Sequence, residues 1–268
     1  MPHFICQTCG SEFAESAAPP DRCPICQDER QYVGSEGQQW TTMADLRQGH
    51  RNAIQPEEPG LTGIVTEPGF AIGQRALLVQ TPAGNVLWDC VSLLDDATVQ
   101  AVRALGGVAA IAVSHPHFYS GMVEWSHAFD APIYLHRADE KWVMRPDSNI
   151  QFWEGERQPL VRGLTLVRCG GHFEGSAVLH WPAGAGGRGA LLSGDTLQVA
   201  FDRGWVSFMR SFPNYIPLPA GTVRRVVAAV NDLAYDRIYG AWPGRVVAAG
   251  AKQVVARSAE RYIAALSE

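Results

Sequence analysis

The chain has 268 residues, 46% of them apolar and 18% charged, with a formal net charge of −5. This composition excludes a disordered chain and leaves room for one large core plus a small module. The acidic balance argues against a nonspecific nucleic-acid binder, and no apolar run reaches the roughly 18–20 residues of a membrane helix.

Residues 1–34 form a unit of their own. It carries Cys6-Gln7-Thr8-Cys9 and Cys23-Pro24-Ile25-Cys26, separated by a Pro19-Pro20 turn. A C-x-x-C turn aims two sulfurs at one point, and two such turns complete a tetrahedron. A module this short cannot be stabilised by core burial alone, and a metal ion supplies what is missing. A structural zinc on Cys6, Cys9, Cys23 and Cys26 is the expectation, with iron as the other option. The N-terminus lacks the basic start and long apolar segment of a secretory signal. With the metal-type cysteine spacing, this leads to an expected cytoplasmic location. Residues 35–60 are polar and read as a linker or surface wrap, with Trp40 as an anchor.

Strands and helices alternate over 61–268. Leu61 to Thr66, Arg75 to Thr81 and Val86 to Trp88 read as strands, the last two joined by a Pro82-Ala83-Gly84-Asn85 turn. Asp96 to Leu105 reads as a short helix capped by Asp95 or Asp96 and stopped by Gly106. A buried strand follows from Val108 to Val113. Further strands are expected at Pro132 to Leu135, Leu164 to Val167, Ala177 to Trp181 and Ala190 to Leu192. The glycines at 184, 186, 187 and 189 suggest a hairpin loop. Apolar periodicity makes Thr222 to Leu233 and Lys252 to Leu266 helical.

Three of these strands end in chemistry. His115-Pro116-His117 follows the strand at 108–113. Gly170-Gly171-His172 and Ser193-Gly194-Asp195 follow two others. Two histidines two apart at a strand end converge readily on one metal ion. The order H-x-H, G-G-H, G-D resembles the metallo-β-lactamase superfamily, over roughly Leu61 to the C-terminus. The superfamily motif is H-x-H-x-D-H. Here Tyr119 and Ser120 stand at its last two ligand positions, and no histidine follows His180.

The resemblance implies an α/β fold, a four-layer αββα sandwich with its metal edge at one end of two sheets. The small N-terminal four-cysteine module resembles a zinc ribbon and, more loosely, rubredoxin. Residue by residue, the resemblance makes His115, His117 and His172 the imidazoles of the first metal position. Asp195 becomes the carboxylate that normally bridges two metals. Because the second position has lost its ligands, one zinc or iron is expected at the central site. Asp195 and Tyr119 are the candidate catalytic groups, Tyr119 as an oxyanion donor. Asp89 matches a common superfamily aspartate that supports the metal loop. Arg145 and Arg210 lie in aromatic-rich stretches as candidates to clamp an anionic substrate, and Tyr215 joins that substrate-binding set.

The function this implies is a mononuclear zinc hydrolase of a small ester, thioester, lactone or amide. Two alternatives stand beside it. One is a mononuclear iron oxygenase of the persulfide-dioxygenase type, on His115, His172 and Asp195. The other is an inactive scaffold that docks a protein partner through the zinc module. His127, His136 and His180 read as ordinary surface or core histidines, and Cys90 and Cys169 as core thiols.

Overall fold

A computed structural model describes residues 1–161 and 163–267. Two sheets face each other. The first has seven strands, Arg51–Glu58, Leu61–Glu67, Arg75–Val79, Val86–Trp88, Ala110–Ala112, Ile133–His136 and Ile150–Trp153, side by side in chain order. The second has six, Arg157–Pro159, Thr165–Arg168, Ala177–Trp181, Ala190–Gly194, Arg237–Gly240 and Val246–Val247, again in chain order. Between its fourth and fifth strands the chain makes a long excursion through two small two-stranded ribbons and the helix Ala220–Val230.

The two-residue period of a strand assigns the layers. In Arg75–Val79 and its neighbours, Leu77, Val79 and Trp88 point between the sheets, where they join Leu179, Trp181 and Leu192. Ala76, Leu78 and Leu87 point the other way, into a cluster with Val102 and Trp125. These last two come from the helices Asp96–Ala104 and Met122–Phe129. On the far side, Leu191 and Ile238 meet Val223 and Val254, from the helices Ala220–Val230 and Ala251–Ala265. The result is the expected αββα sandwich. Each large apolar side chain fully buried between layers contributes about 1.5–3 kcal/mol. Cys90 and Cys169 sit in the two outer clusters as core thiols. No helix among the described residues is long and apolar enough to cross a membrane.

Residues 35–60 depart from the expected linker or wrap. Trp40–Thr42 pairs with Phe4–Cys6 and closes the cysteine module. The helix Met43–Gly49 follows, capped by the Thr42 side chain on the Asp45 N–H, and it buries Leu46 beside Ile5 and Leu93. Arg51–Glu58 is the edge strand of the large sheet. Its polar sequence and Pro56 suit an edge, where one side of the ladder is open. The same features deprive it of an apolar alternation. The segment Gly184–Gly187 lies in the expected hairpin loop, which joins the antiparallel strands Ala177–Trp181 and Ala190–Gly194.

Gly121 opens the helix Met122–Phe129 directly against the loop at Val91 and Ser92. A methyl group there would lie 2.8 Å from the Ser92 carbonyl oxygen and 3.1 Å from that of Val91. Both neighbours are backbone and cannot rotate away. Gly121→Ala should therefore destabilise the fold by about 1–3 kcal/mol, read as a lower urea midpoint at unchanged slope. An unshifted midpoint would show that this contact is looser than described.

Candidate metal centres

The cysteine module brings its four sulfurs together. One ligand atom from each of Cys6, Cys9, Cys23 and Cys26 lies within 4.8 Å of the others, and all four residues are buried. Cys6 Sγ is 3.5 Å from Cys26 Sγ, and Cys9 Sγ is 3.7 Å from Cys23 Sγ. Disulfide sulfurs stand about 2.05 Å apart, whereas sulfurs about 2.3 Å from a tetrahedral ion stand about 3.8 Å apart. The spacing fits four thiolates on one metal. Gln38 Nε2 donates to Cys6 Sγ at 3.1 Å, the kind of N–H···S contact that supports a thiolate ligand.

The second cluster forms where both sheets end. After the strand Ala110–Ala112, His115 opens a single turn of tight helix, Pro116–Phe118, and His117 lies within it. The Asp89 carboxylate fixes that loop by accepting the Ser114 N–H at 2.7 Å, the supporting role the resemblance implied. His172 leaves the strand Thr165–Arg168 through Gly170 and Gly171, both at positive φ. Asp195 follows Gly194, also at positive φ, where a Cβ would lie 2.6 Å from Ser114 Oγ. Only glycine lets this strand approach the histidine loop so closely.

These four residues offer ligand atoms that all lie within 4.8 Å of one another. His172 Nε2 is 3.1 Å from His117 Nδ1, and His115 Nε2 is 3.1 Å from Asp195 Oδ1. Asp195 Oδ2 is 3.7 Å from His172 Nε2. Nitrogens about 2.0–2.1 Å from a tetrahedral ion stand about 3.3–3.4 Å apart, so the separations suit one shared ion. The protonation pattern agrees. His172 Nδ1 faces the Met209 carbonyl at 3.1 Å. A carbonyl only accepts, so Nδ1 carries the proton and Nε2 turns a lone pair inward. His115 Nδ1 is likewise occupied by Ser114 Oγ at 2.9 Å. His115 Nε2 and Asp195 Oδ1 are buried with no hydrogen-bond partner. Burial holds His115 and His117 well below the usual imidazole range, brings His172 down to about 4 and pushes Asp195 up to about 8. Neutral imidazoles are the metal-binding form, and a cation among them favours the ionised carboxylate.

The other motif positions are spent on structure. Ser120 Oγ accepts from Gln74 Nε2 at 2.9 Å and lies beneath Gly10 of the cysteine module. Tyr119 is buried in the apolar cluster with Met122 and Trp125 and does not line the cavity over the histidines. It faces a much smaller gap under the cysteine module, and its phenol is not offered to an oxyanion at the metal. Trp242 borders the cavity from the C-terminal segment, its indole N–H donating to the Ile72 carbonyl at 2.8 Å.

The expected substrate clamp is dispersed. Arg145 joins Glu12 at 2.5 Å and Glu124 at 2.6 Å, tying the module to the helix Met122–Phe129. Arg210 pairs with Glu29 and borders a cleft beside His172. Tyr215 is 84% exposed on a turn. His127 meets Asp147, His136 the Gly155 carbonyl and His180 the Ala234 carbonyl, all away from the cluster.

Residues that the motifs did not mark complete the cavity, which measures about 340 Å³. Arg30, Gln31 and Tyr32 enter it from the cysteine module. The Arg30 guanidinium lies 4.1 Å from the Phe173 ring centroid and is paired with Asp28 at 2.6 Å. This strap is sewn to the hairpin of Met209–Ser211 and Ile216–Pro217. Ser211 Oγ donates to the Arg30 carbonyl at 3.2 Å, and Asn214 Nδ2 donates to those of Glu29 and Gln31, each at 2.9 Å.

The sheets, helices and metal edge define a metallo-β-lactamase fold, and solved structures agree. DIM-1 metallo-β-lactamase superposes with a TM-score of 0.60 at 13% identity, over 80% of this chain and 98% of that one. FIM-1 of Pseudomonas aeruginosa, in its mono-zinc form, gives 0.59 at 14% identity over 78% and 95%. MEM-A1, a subclass B3 enzyme from a soil metagenome library, gives 0.50 at 19% identity over 78% and 94%. At these identities the likeness is one of fold. No protein-family model matches the chain. A much nearer relative is the Bacillus subtilis (strain 168) protein named Uncharacterized protein YmaE, 52% identical over 269 residues spanning 100% of this chain and 98% of that protein. The chain belongs to the YmaE family.

Each cluster should hold metal independently. His172→Ala should lose the central equivalent and keep the other, Cys6→Ser should do the reverse, and His180→Ala should lose neither. Elemental analysis of the three variants checks this. Equal metal content in wild type and His172→Ala would remove the central site.

Proposed function

We propose that the chain is a metal-dependent hydrolase with a single zinc ion at His115, His117, His172 and Asp195, acting on a small ester, thioester, lactone or amide. The observation that carries this is the convergence of three neutral imidazoles and one unpaired carboxylate oxygen at one buried point. When bound, zinc lowers the pKa of a water from 15.7 to about 7 and so supplies hydroxide at neutral pH.

The protein's own groups do the rest. Ser114 and Met209 hold the rings of His115 and His172 in one orientation. Asp195 Oδ1, 3.1 Å from His115 Nε2, makes no hydrogen bond within the protein and is the group placed to orient a nucleophilic water and accept its proton. Trp242 and Phe212 line the cavity and give its wall an apolar part. The Arg30 guanidinium, held over Phe173, adds positive potential close to the three imidazoles.

The geometry weighs the iron alternative as well. His115, His172 and Asp195 also make a two-histidine, one-carboxylate set. His117 Nδ1, 3.1 Å from His172 Nε2, adds a third imidazole to the same point and favours zinc.

A panel of acyl esters, thioesters and anilides sharing one acyl group tests the reading. The zinc-loaded protein should hydrolyse at least one, and Asp195→Asn should lower kcat about 10²–10⁴-fold. Oxygen consumption with a persulfide substrate by an iron-loaded protein, without hydrolysis by the zinc form, would overturn it.

A further inference from the structure

A second cleft lies beside the metal cavity and shares two side chains with it. It measures about 440 Å³, and His172 and Arg30 border both spaces. Lys141, Arg210 and Arg225 line the cleft together with Arg30. Two carboxylates stand beside these four cations. Asp139 is 1% exposed and its Oδ1 accepts the Gly175 N–H at 3.0 Å, and Glu174 lies at the surface.

Each of the four cations keeps donors that no protein group takes. Arg30 donates from Nε and Nη2 to Asp28, at 2.6 and 3.1 Å, while its Nη1 has no partner among the described residues. Arg210 engages only its Nε, on Glu29. Arg225 Nη2 donates to Thr222 Oγ1 at 2.9 Å, within the same helix, and Arg225 meets no carboxylate among the described residues. Lys141 has neither a hydrogen bond nor an ion pair among them. Its ammonium rests 5.0 Å from the Trp142 ring centroid, and the Arg30 guanidinium lies 5.5 Å from the same ring. Cations gathered around one concave space repel one another, and an anion between them relieves that repulsion.

Two further features place positive potential there. The helix Ala220–Val230 starts at the cleft, with Pro219 and Thr222 on its border and no side-chain cap on its first turn. The N-terminal end of a helix dipole favours negative charge. The field also reaches the metal ligand that both spaces share. Burial above all, with Arg30 and Arg210 adding to it, favours the neutral form of His172. Guanidinium and ammonium groups only donate, so their partner must be an acceptor, and carboxylate and phosphate oxygens both suit them.

We infer that this cleft is an anion-binding subsite, in which Arg30, Lys141, Arg210 and Arg225 take a carboxylate or phosphate group of the molecule on which the metal centre acts. The binding of an anion stands by itself, whereas its assignment to the substrate rests on the hydrolase reading.

Isothermal titration of the zinc-loaded protein with adipate, inorganic phosphate and neutral adipamide tests the subsite. At least one of the anions should bind about tenfold or more tightly than adipamide, and the tighter of the two tells a carboxylate site from a phosphate site. Lys141→Met and Arg225→Met in one chain should weaken that anion about tenfold at unchanged zinc content. No binding of either anion, adipamide binding as tightly as both, or an affinity that survives the double substitution, as it would for an anion held by zinc alone, would overturn the inference. Monophenyl adipate and phenyl hexanoate, which differ in a carboxylate against a methyl group, then connect the subsite to turnover. The acidic ester should have the lower KM, and the double substitution should erase the difference. Equal KM values in the wild type would overturn the assignment to the substrate. Anion binding without turnover of any ester, thioester or amide would keep the subsite and defeat the hydrolase reading, and turnover by a protein that binds no anion would do the opposite.

Discussion

The central constraint on this molecule is the burial of four polar groups at one point. His115, His117, His172 and Asp195 are each no more than 4% exposed. Three separate loops deliver them, and three glycines at positive φ allow the delivery. Groups of this kind are costly to bury unless something satisfies them. A cation does so for all four together, since it takes the inward lone pairs and restores the carboxylate to its charged form. The sandwich beneath them is ordinary apolar packing. Its function in this account is to hold the loops rigidly enough for that convergence.

The cysteine module is the second half of the same design. It is joined to the sandwich on two sides, by Arg145 to Glu12 and by the bonds from Ser211 and Asn214 to the strap. Gly10 covers Ser120, a position where the superfamily motif has a metal ligand. Arg30, Gln31 and Tyr32 reach the surviving metal cavity. One module thus packs over Ser120 and furnishes part of the wall around the histidine cluster. A metal bound by the four cysteines would also steady this part of the cavity wall, because the strap begins just after Cys26.

Much of this was legible in the sequence wherever residue type and local pattern coincide. The two C-x-x-C pairs, H-x-H, G-G-H and G-D each carry their signal within a few residues, and each falls at a strand end that apolar runs reveal. The alternation of strands and helices pointed to a layered α/β architecture, and the four layers came from the family resemblance. The edge strand Arg51–Glu58 was hidden because neither face shows an apolar period and Pro56 interrupts it. Arg145 and Arg210 looked free because their partners Glu12 and Glu29 lie 133 and 181 residues away in the chain. Tyr119 sits beside the motif in sequence, yet the turn at Pro116–Phe118 directs it into the core. Arg30, Gln31 and Tyr32 had no local signal at all as cavity residues, since the way the cysteine module docks is visible only in the fold.

Anomalous diffraction at the zinc edge, from crystals grown with excess zinc, tests the central claim most directly. Two strong peaks per chain are expected. One lies among Cys6, Cys9, Cys23 and Cys26, and the other among His115, His117, His172 and Asp195. A further strong peak about 3.5–4 Å from the second, the separation of two-metal sites, would contradict the single-metal centre, and no peak among the three histidines would contradict the metal site itself.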